Sequence, residues 1–158
     1  MQGTTSYTLT EAQKKMERYC SYQDRCHMEV LTRLRQMGMI PEAIAHIVNH
    51  LIQENYLNEE RFSKSFARGK FKIKKWGKIR ITAELKKRNI SRFNITIGLS
   101  EIDEADYLDT LDAIAKKRLA SLSKIDEQLK RRKLADYLFY RGWESHLVYE
   151  KIAELFPS

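Results

Sequence analysis

Proline and glycine are scarce in this chain, at 2 and 6 of 158 residues. A sandwich or barrel needs a turn every ten residues or so, so that scarcity argues against an all-β fold. Cysteine is equally scarce. Cys20 and Cys26 lie six apart in a segment of helical pattern, and Met1–Thr10 shows no basic cluster followed by an apolar core. Without an export signal, two reduced thiols in a cytoplasmic protein are expected rather than a disulfide. No stretch approaches the roughly 18 apolar residues of a membrane span, so no membrane partner is expected. Acid is in deficit as well: 29 Lys and Arg stand against 21 Asp and Glu, a formal charge of +8. Yet 42% of positions are apolar and 16 are aromatic, enough to offset chain entropy in a folded domain.

What is present is helical periodicity. Ile44, Ile47, Val48, Leu51 and Ile52 follow the i, i+3, i+4, i+7, i+8 pattern of one buried helix face. Pro41 stands at the entry, where its missing N–H costs nothing, and Asn55 suits the exit. Asn58 caps a second start, with Glu59 and Glu60 complementing the helix dipole.

The pattern then recurs. Val30, Leu34 and Gly38 return as Ile81, Leu85 and Asn89 after 51 positions, and as Leu134, Leu138 and Gly142 after a further 53. Ile44, Val48 and Leu51 return at the same offsets as Ile95, Leu99 and Ile102, then Val148, Ile152 and Leu155. Each copy ends a helix at Gly or Asn, residues that tolerate the left-handed conformation. The repeat predicts helices over 11–22, 24–37 and 41–54, over 59–75, 78–88 and 92–101, and over 104–121, 126–141 and 144–156. The expected fold is therefore all-α: three tandem three-helix, helix-turn-helix-like repeats over 11–55, 56–102 and 103–158, after a flexible segment over 1–10. Small modules of this kind cover their apolar faces by stacking, here into an elongated, curved array. Within 92–101 the alternation of Phe93, Ile95, Ile97 and Leu99 reads locally as a strand, and the repeat overrules it.

Charge is concentrated in the middle repeat. Residues 61 to 92 hold 13 basic side chains and one acid, Glu84, which leaves a net −4 for the other 126 residues. On a continuous helix, Arg61, Lys64, Arg68, Lys72 and Lys75 fall within about 80° of one another. Phe62, Phe66, Gly69, Ile73 and Trp76 form a core stripe roughly 120° away. Like charges at these spacings repel, so an unbroken basic ridge on an aromatic keel points to a polyanion or an acidic partner. The candidate partner-binding residues are Arg61, Lys64, Arg68, Phe71, Lys72, Lys74, Lys75, Lys78, Arg80, Lys86, Lys87 and Arg88. Phe71 points to the cationic side, where it either stacks on a partner or packs against the next repeat.

Other constellations carry no chemistry. Cys20 and Cys26 are spaced C-x5-C, too wide for a zinc knuckle with His46 and His50. Glu101, Asp103, Glu104, Asp106, Asp109 and Asp112 surround a helix start with no base among them, which fits dipole complementation better than metal catalysis. Phosphate loop, nucleophile elbow and HExxH are all missing. No catalytic residue, metal or cofactor is expected.

The segments Tyr56-Leu-Asn-Glu-Glu-Arg-Phe-Ser-Lys-Ser-Phe-Ala-Arg68 and Lys74-Lys-Trp-Gly-Lys-Ile-Arg-Ile-Thr-Ala-Glu-Leu-Lys-Lys-Arg-Asn-Ile90 resemble the signature of the RecX family, bacterial regulators of the RecA recombinase. That family often has Pro where Lys78 stands and usually Gly where Asn89 stands. The resemblance implies a non-enzymatic modulator, chiefly an inhibitor, and a stacked array with polar ends can remain a monomer. It would lie in the groove of the RecA–DNA filament and lower ATP hydrolysis and strand exchange, with at most weak DNA binding of its own. Two alternatives are a RecA-independent DNA-binding protein of helix-turn-helix type and a scaffold for another acidic protein.

Overall fold

The computed structural model describes residues 6–157, all of whose regular structure is helical. Nine α-helices follow in chain order among the described residues: α1 (Leu9–Tyr22), α2 (His27–Gln36), α3 (Pro41–Gln53), α4 (Glu59–Gly69), α5 (Lys78–Lys87), α6 (Arg92–Leu99), α7 (Glu104–Ser121), α8 (Glu127–Tyr140) and α9 (Ser145–Leu155). The first three pack on one another, as do the second three and the last three. We call these groups modules 1, 2 and 3. The flexible segment expected over 1–10 lies outside the described residues as far as residue 5. Beyond that, helix α1 starts two residues earlier than expected, because Thr8 and Glu11 exchange hydrogen bonds of 3.1 Å in a capping box.

The repeat is visible atom by atom at the helix ends. Gly38, Asn89 and Gly142 all take left-handed φ angles, of 76°, 58° and 89°. In each copy the next residue's N–H reaches back to the carbonyl of the matched leucine: Met39 to Leu34, Ile90 to Leu85, Trp143 to Leu138, each at 3.1 Å. These are three Schellman caps, and they satisfy carbonyls that a helix end otherwise leaves unpaired. Burial repeats too. Val30, Ile81 and Leu134 are buried, as are Leu34, Leu85 and Leu138, then Ile44, Ile95 and Val148.

Segment 92–99 is helical, as the repeat required. Its Gly98 lies so close to α4 that a Cβ there would come within 2.7 Å of the Ser63 carbonyl oxygen. Alternating apolar letters thus mislead only locally: Ile95 faces the core while Phe93 is exposed.

The apolar interior is in two parts. Module 1 encloses Met16, Val30, Leu34, Ile47 and Leu51 with Cys20. Modules 2 and 3 share one continuous core, from Phe62, Ile81 and Leu85 through Tyr107 and Leu111 to Leu134, Leu138 and Trp143, with Cys26 at its margin. The two cysteines therefore sit in different cores as free thiols, and burial pushes each up to about 11. Among the described residues no helix is long and apolar enough to cross a membrane.

Candidate functional site

The expected continuous helix over 59–75 is interrupted. Asn58 caps it, its Oδ1 accepting from the Arg61 N–H at 3.0 Å. After Gly69 the chain widens into a π-helix over Lys70–Lys74, and Lys75 then turns left-handed at φ 58°. Such wide turns, with i→i+5 closure, occur mostly as local bulges, frequently at functional positions. Here the bulge presents Lys72, Ile73, Lys74 and Lys75 at the surface.

Three members of the expected ridge are answered by carboxylates of the same chain, which corrects the reading of one free cationic stripe. Arg61 Nε lies 2.7 Å from Asp24, and its Nη2 donates to the carbonyls of Asn55 and Tyr56 at 3.0 and 3.1 Å. Arg68 lies 3.3 Å from Glu101, and Lys64 sits 3.5 Å from Glu60 and 3.9 Å from Glu101. These pairs are partly exposed, so they add little stability, yet they cancel the field a partner would feel. Helix α5 shows the same pattern. Lys87 and Arg88 both reach Glu84, at 3.2 and 3.1 Å, and the hydrogen bond from Arg88 holds that carboxyl below its usual range. Lys78 reaches Glu104 at 3.4 Å.

Phe71 is a second correction. It is buried, its ring 5.8 Å from that of Tyr107 in module 3, so its role is packing between repeats rather than stacking on a partner. Ile73, assigned to the core stripe, is 78% exposed. It does share the side of Phe62, Phe66 and Gly69, but that side opens on a cleft of about 360 Å³ between modules 1 and 2, and nothing covers the far end.

A smaller set of cations without direct ion pairs remains, of which Lys72 and Lys75 share a cleft with Asp106 and Asp109. Lys72, Lys74, Lys75 and Lys86 are exposed and have no carboxylate partner among the described residues. Arg80 is half-buried, its guanidinium 4.3 Å from the centre of the Trp76 ring and 4.8 Å from that of Tyr140. Lys70, outside the sequence-derived set, lies over Trp76 and Phe66 at 5.1 and 5.5 Å. Tyr140 was also missed. It is 60 residues from Arg80 in sequence, and its one signal was its place two residues before the repeat glycine Gly142.

Module 3 holds this ridge in place through backbone contacts. The Gly77 N–H donates to the Arg141 carbonyl at 2.8 Å, and Ile79 N–H to the Gly142 carbonyl at 3.0 Å. Lys78 N–H donates to the Tyr107 hydroxyl at 2.8 Å, and that hydroxyl donates in turn to Glu144. Burial first, and then the Glu144 carboxylate, drive the Tyr107 phenol well above its usual pKa. In the other direction, Arg141 Nη1 donates to the Lys74 carbonyl, and Trp143 Nε1 to the Lys75 carbonyl at 3.2 Å. Orphan groups at the end of one helix and the start of the next are thus satisfied by one neighbouring turn. Such close approach excludes a side chain at position 77, since a Cβ would lie 2.6 Å from Trp143 Cα and nearer still to the Gly142 carbonyl.

Comparison with known proteins bears on what this scaffold is. Residues 58–99 match the family model described as the RecX second three-helix domain, and residues 104–152 the RecX third three-helix domain. A Regulatory protein RecX of Chlorobium phaeobacteroides is 30% identical over 130 residues, covering 82% of this chain and 83% of the relative. The chain belongs to the RecX family. The RecX of Pseudomonas savastanoi is 28% identical over 77% of this chain and 76% of its own. Coverage of longer relatives is lower: the chain spans 34% of the Lactobacillus johnsonii RecX, at 33% identity, and 51% of the Lactobacillus gasseri one. A crystal structure of RecX from Lactobacillus salivarius superposes with a TM-score of 0.81 at 22% identity, over 93% of this chain and 96% of that one, and so shows a shared fold. These RecX relatives are named as regulatory proteins, and a RecX regulatory role is the one they support.

Both departures from the RecX pattern are explained locally. Lys78 supplies the N–H that Tyr107 accepts, a bond proline could not make. Asn89 holds the left-handed angle that glycine usually takes, and its amide approaches Met28 Sδ of module 1 at 3.9 Å. His50, proposed and set aside as a zinc ligand, pairs with Glu17 at 2.8 Å.

Proposed function

We propose that this protein modulates the RecA recombinase, and chiefly inhibits it, by lying in the groove of the RecA–DNA filament. It lowers ATP hydrolysis and strand exchange during recombination and repair in the cytoplasm, acting as a monomer without a catalytic residue or cofactor. The three units over 11–55, 56–102 and 103–158 act together, the middle one carrying the contact. Family membership supports this reading, but one observation carries it: Lys72, Lys74, Lys75 and Lys86 are exposed without a carboxylate partner among the described residues, in the same module where Arg61, Lys64, Arg68, Lys78, Lys87 and Arg88 are each paired with one. Asp106 and Asp109 share a cleft with Lys72 and Lys75 and offset part of their field, but lysines not held in direct ion pairs can still turn to an anionic surface and speed encounter.

The test is the DNA-dependent ATPase of the matching recombinase. Wild-type protein at near-stoichiometric amounts slows it. Lys72→Glu with Lys74→Glu, both exposed and unpaired, requires about tenfold more protein for half-inhibition while leaving helical circular dichroism unchanged. Arg61→Gln, which removes an internally paired cation, changes inhibition little. Unaltered ATPase and filament length at saturating wild-type protein would rule the reading out.

A further inference from the structure

Cations and aromatic rings alternate across the ridge in an unbroken ladder. The Arg88 guanidinium lies 4.9 Å from the Phe66 ring centre, and Lys70 Nζ lies over both Phe66 and Trp76. Arg80 then fills the space between Trp76 and Tyr140, at 4.3 and 4.8 Å. Five contacts in series thus join α4, α5 and the end of α8. The last ring is the unusual one, because Tyr140 is 72% exposed. Arg80 covers one face of it, and Arg80 Nη1 is itself tied to the Tyr140 carbonyl at 3.1 Å. The other face meets solvent.

We propose that Tyr140 is a stacking platform for an unpaired DNA base, and that the ladder behind it is a track for a single strand. A base needs a flat, exposed ring held in place before binding, and Arg80 holds this one without occupying its outer face. Phosphates need nearby positive charge that is not already neutralised. Lys74 and Lys75 supply it, their carbonyls held by Arg141 and Trp143, immediately beyond Tyr140 in the chain. The carboxylates of an acidic peptide would use the charges but not the ring, whereas a single strand offers a flat base beside every phosphate, and a duplex hides its bases within its own stack. The chemistry therefore favours single-stranded DNA over either. This inference rests on the reading of the ridge as a surface for an anionic polymer, but it requires no recombinase.

Fluorescence anisotropy without RecA tests it, using a labelled oligo-dT, an abasic strand of equal length and a duplex at one salt concentration. Wild-type protein is expected to bind oligo-dT more tightly than either of the others. Tyr140→Ala weakens oligo-dT binding between about fivefold and 150-fold, the value of one base–aromatic stack, and leaves abasic binding unchanged. Tyr140→Trp retains oligo-dT binding, which separates lost stacking from lost folding. Failure to bind oligo-dT, equal affinity for dT and abasic strands, or a Tyr140→Ala variant that binds oligo-dT like wild type would each overturn the proposal. If Tyr140→Ala instead loses only RecA inhibition, the ring meets protein, so the inference fails while the proposed function stands. If dT binding behaves as expected but wild-type protein leaves RecA unaffected, the proposed function fails and the stacking site stands.

Discussion

The two junctions between modules are built on different principles. Between modules 2 and 3, backbone meets backbone: Gly77 and Ile79 donate to the Arg141 and Gly142 carbonyls, and the side chains of Tyr107, Arg141 and Trp143 bond the backbone on either side. Around that contact, Phe71, Tyr107 and Trp143 pack in series, Phe71 tilted against Tyr107 and Tyr107 stacked on Trp143 with ring centres 4.3 Å apart, inside a single core. Between modules 1 and 2 the main cores are separate, bridged at the edges by Cys26 and Leu57, and the polar contacts are made by helix ends and linkers. One guanidinium, that of Arg61, clasps Asp24 and two carbonyls, and Glu59 accepts the His27 N–H at 3.0 Å. An open cleft lies beside it. Backbone-to-backbone contact around buried rings favours one geometry, because the backbone groups have no rotamers and the close-packed rings have no room to change theirs. A clasp of half-exposed charges holds by weak, screened terms and can yield. Modules 2 and 3 are the rigid platform for the lysine ridge, and module 1 is the part with freedom to adjust.

Removing the buried ring at the tight junction is expected to have the largest effect. Trp143 is 1% exposed, and Trp143→Ala should cost about 3–5 kcal/mol in urea unfolding, with modules 2 and 3 losing protection together. A cost below about 1 kcal/mol would show that the shared core is not what couples them. Gly77→Ala comes next. Because the Cβ would strike backbone atoms, the turns must separate, for about 1–3 kcal/mol and a wider inter-module angle in scattering. At the looser junction, Arg61→Ala should cost no more than about 1 kcal/mol, since the pair is partly exposed. Faster hydrogen exchange should follow around residues 23–27 and 55–57 alone, and spread into module 3 would break the comparison.

The smallest effect is a titration. The Tyr107 phenol is raised, so its contribution to stability is intact below the ordinary tyrosine value near 10 and is lost as pH climbs toward the folded value. In an absorbance titration this tyrosine should ionise only as the protein unfolds, and ionisation in step with the exposed tyrosines would show the Tyr107–Glu144 contact to be absent in solution.

Much of the fold was legible in the letters. The matched leucines, the Gly and Asn caps and the capping Asn58 are local features, each determined by residues within a turn of one another, and all stand where periodicity put them. The ridge was legible only in part. A helical wheel orders the side chains of one helix but is blind to what faces them, so Asp24, 37 residues from Arg61, and Glu101, 33 from Arg68, were invisible as partners. The wheel also placed Phe71 on the basic side without showing that module 3 covers that side. Tyr140 was hidden for the same reason, since only the docking of the α8–α9 turn brings it to Arg80.

By itself the amino-acid order determined three repeated helical units, their caps and a middle unit heavily loaded with positive charge, because spacing, capping and composition act over a few residues. Which of those charges remain free, which ring closes the ladder and which junction holds fast were decided only when the modules packed. Those properties depend on distances between residues far apart in the chain, and the close approach of Gly77 to Gly142 sets them.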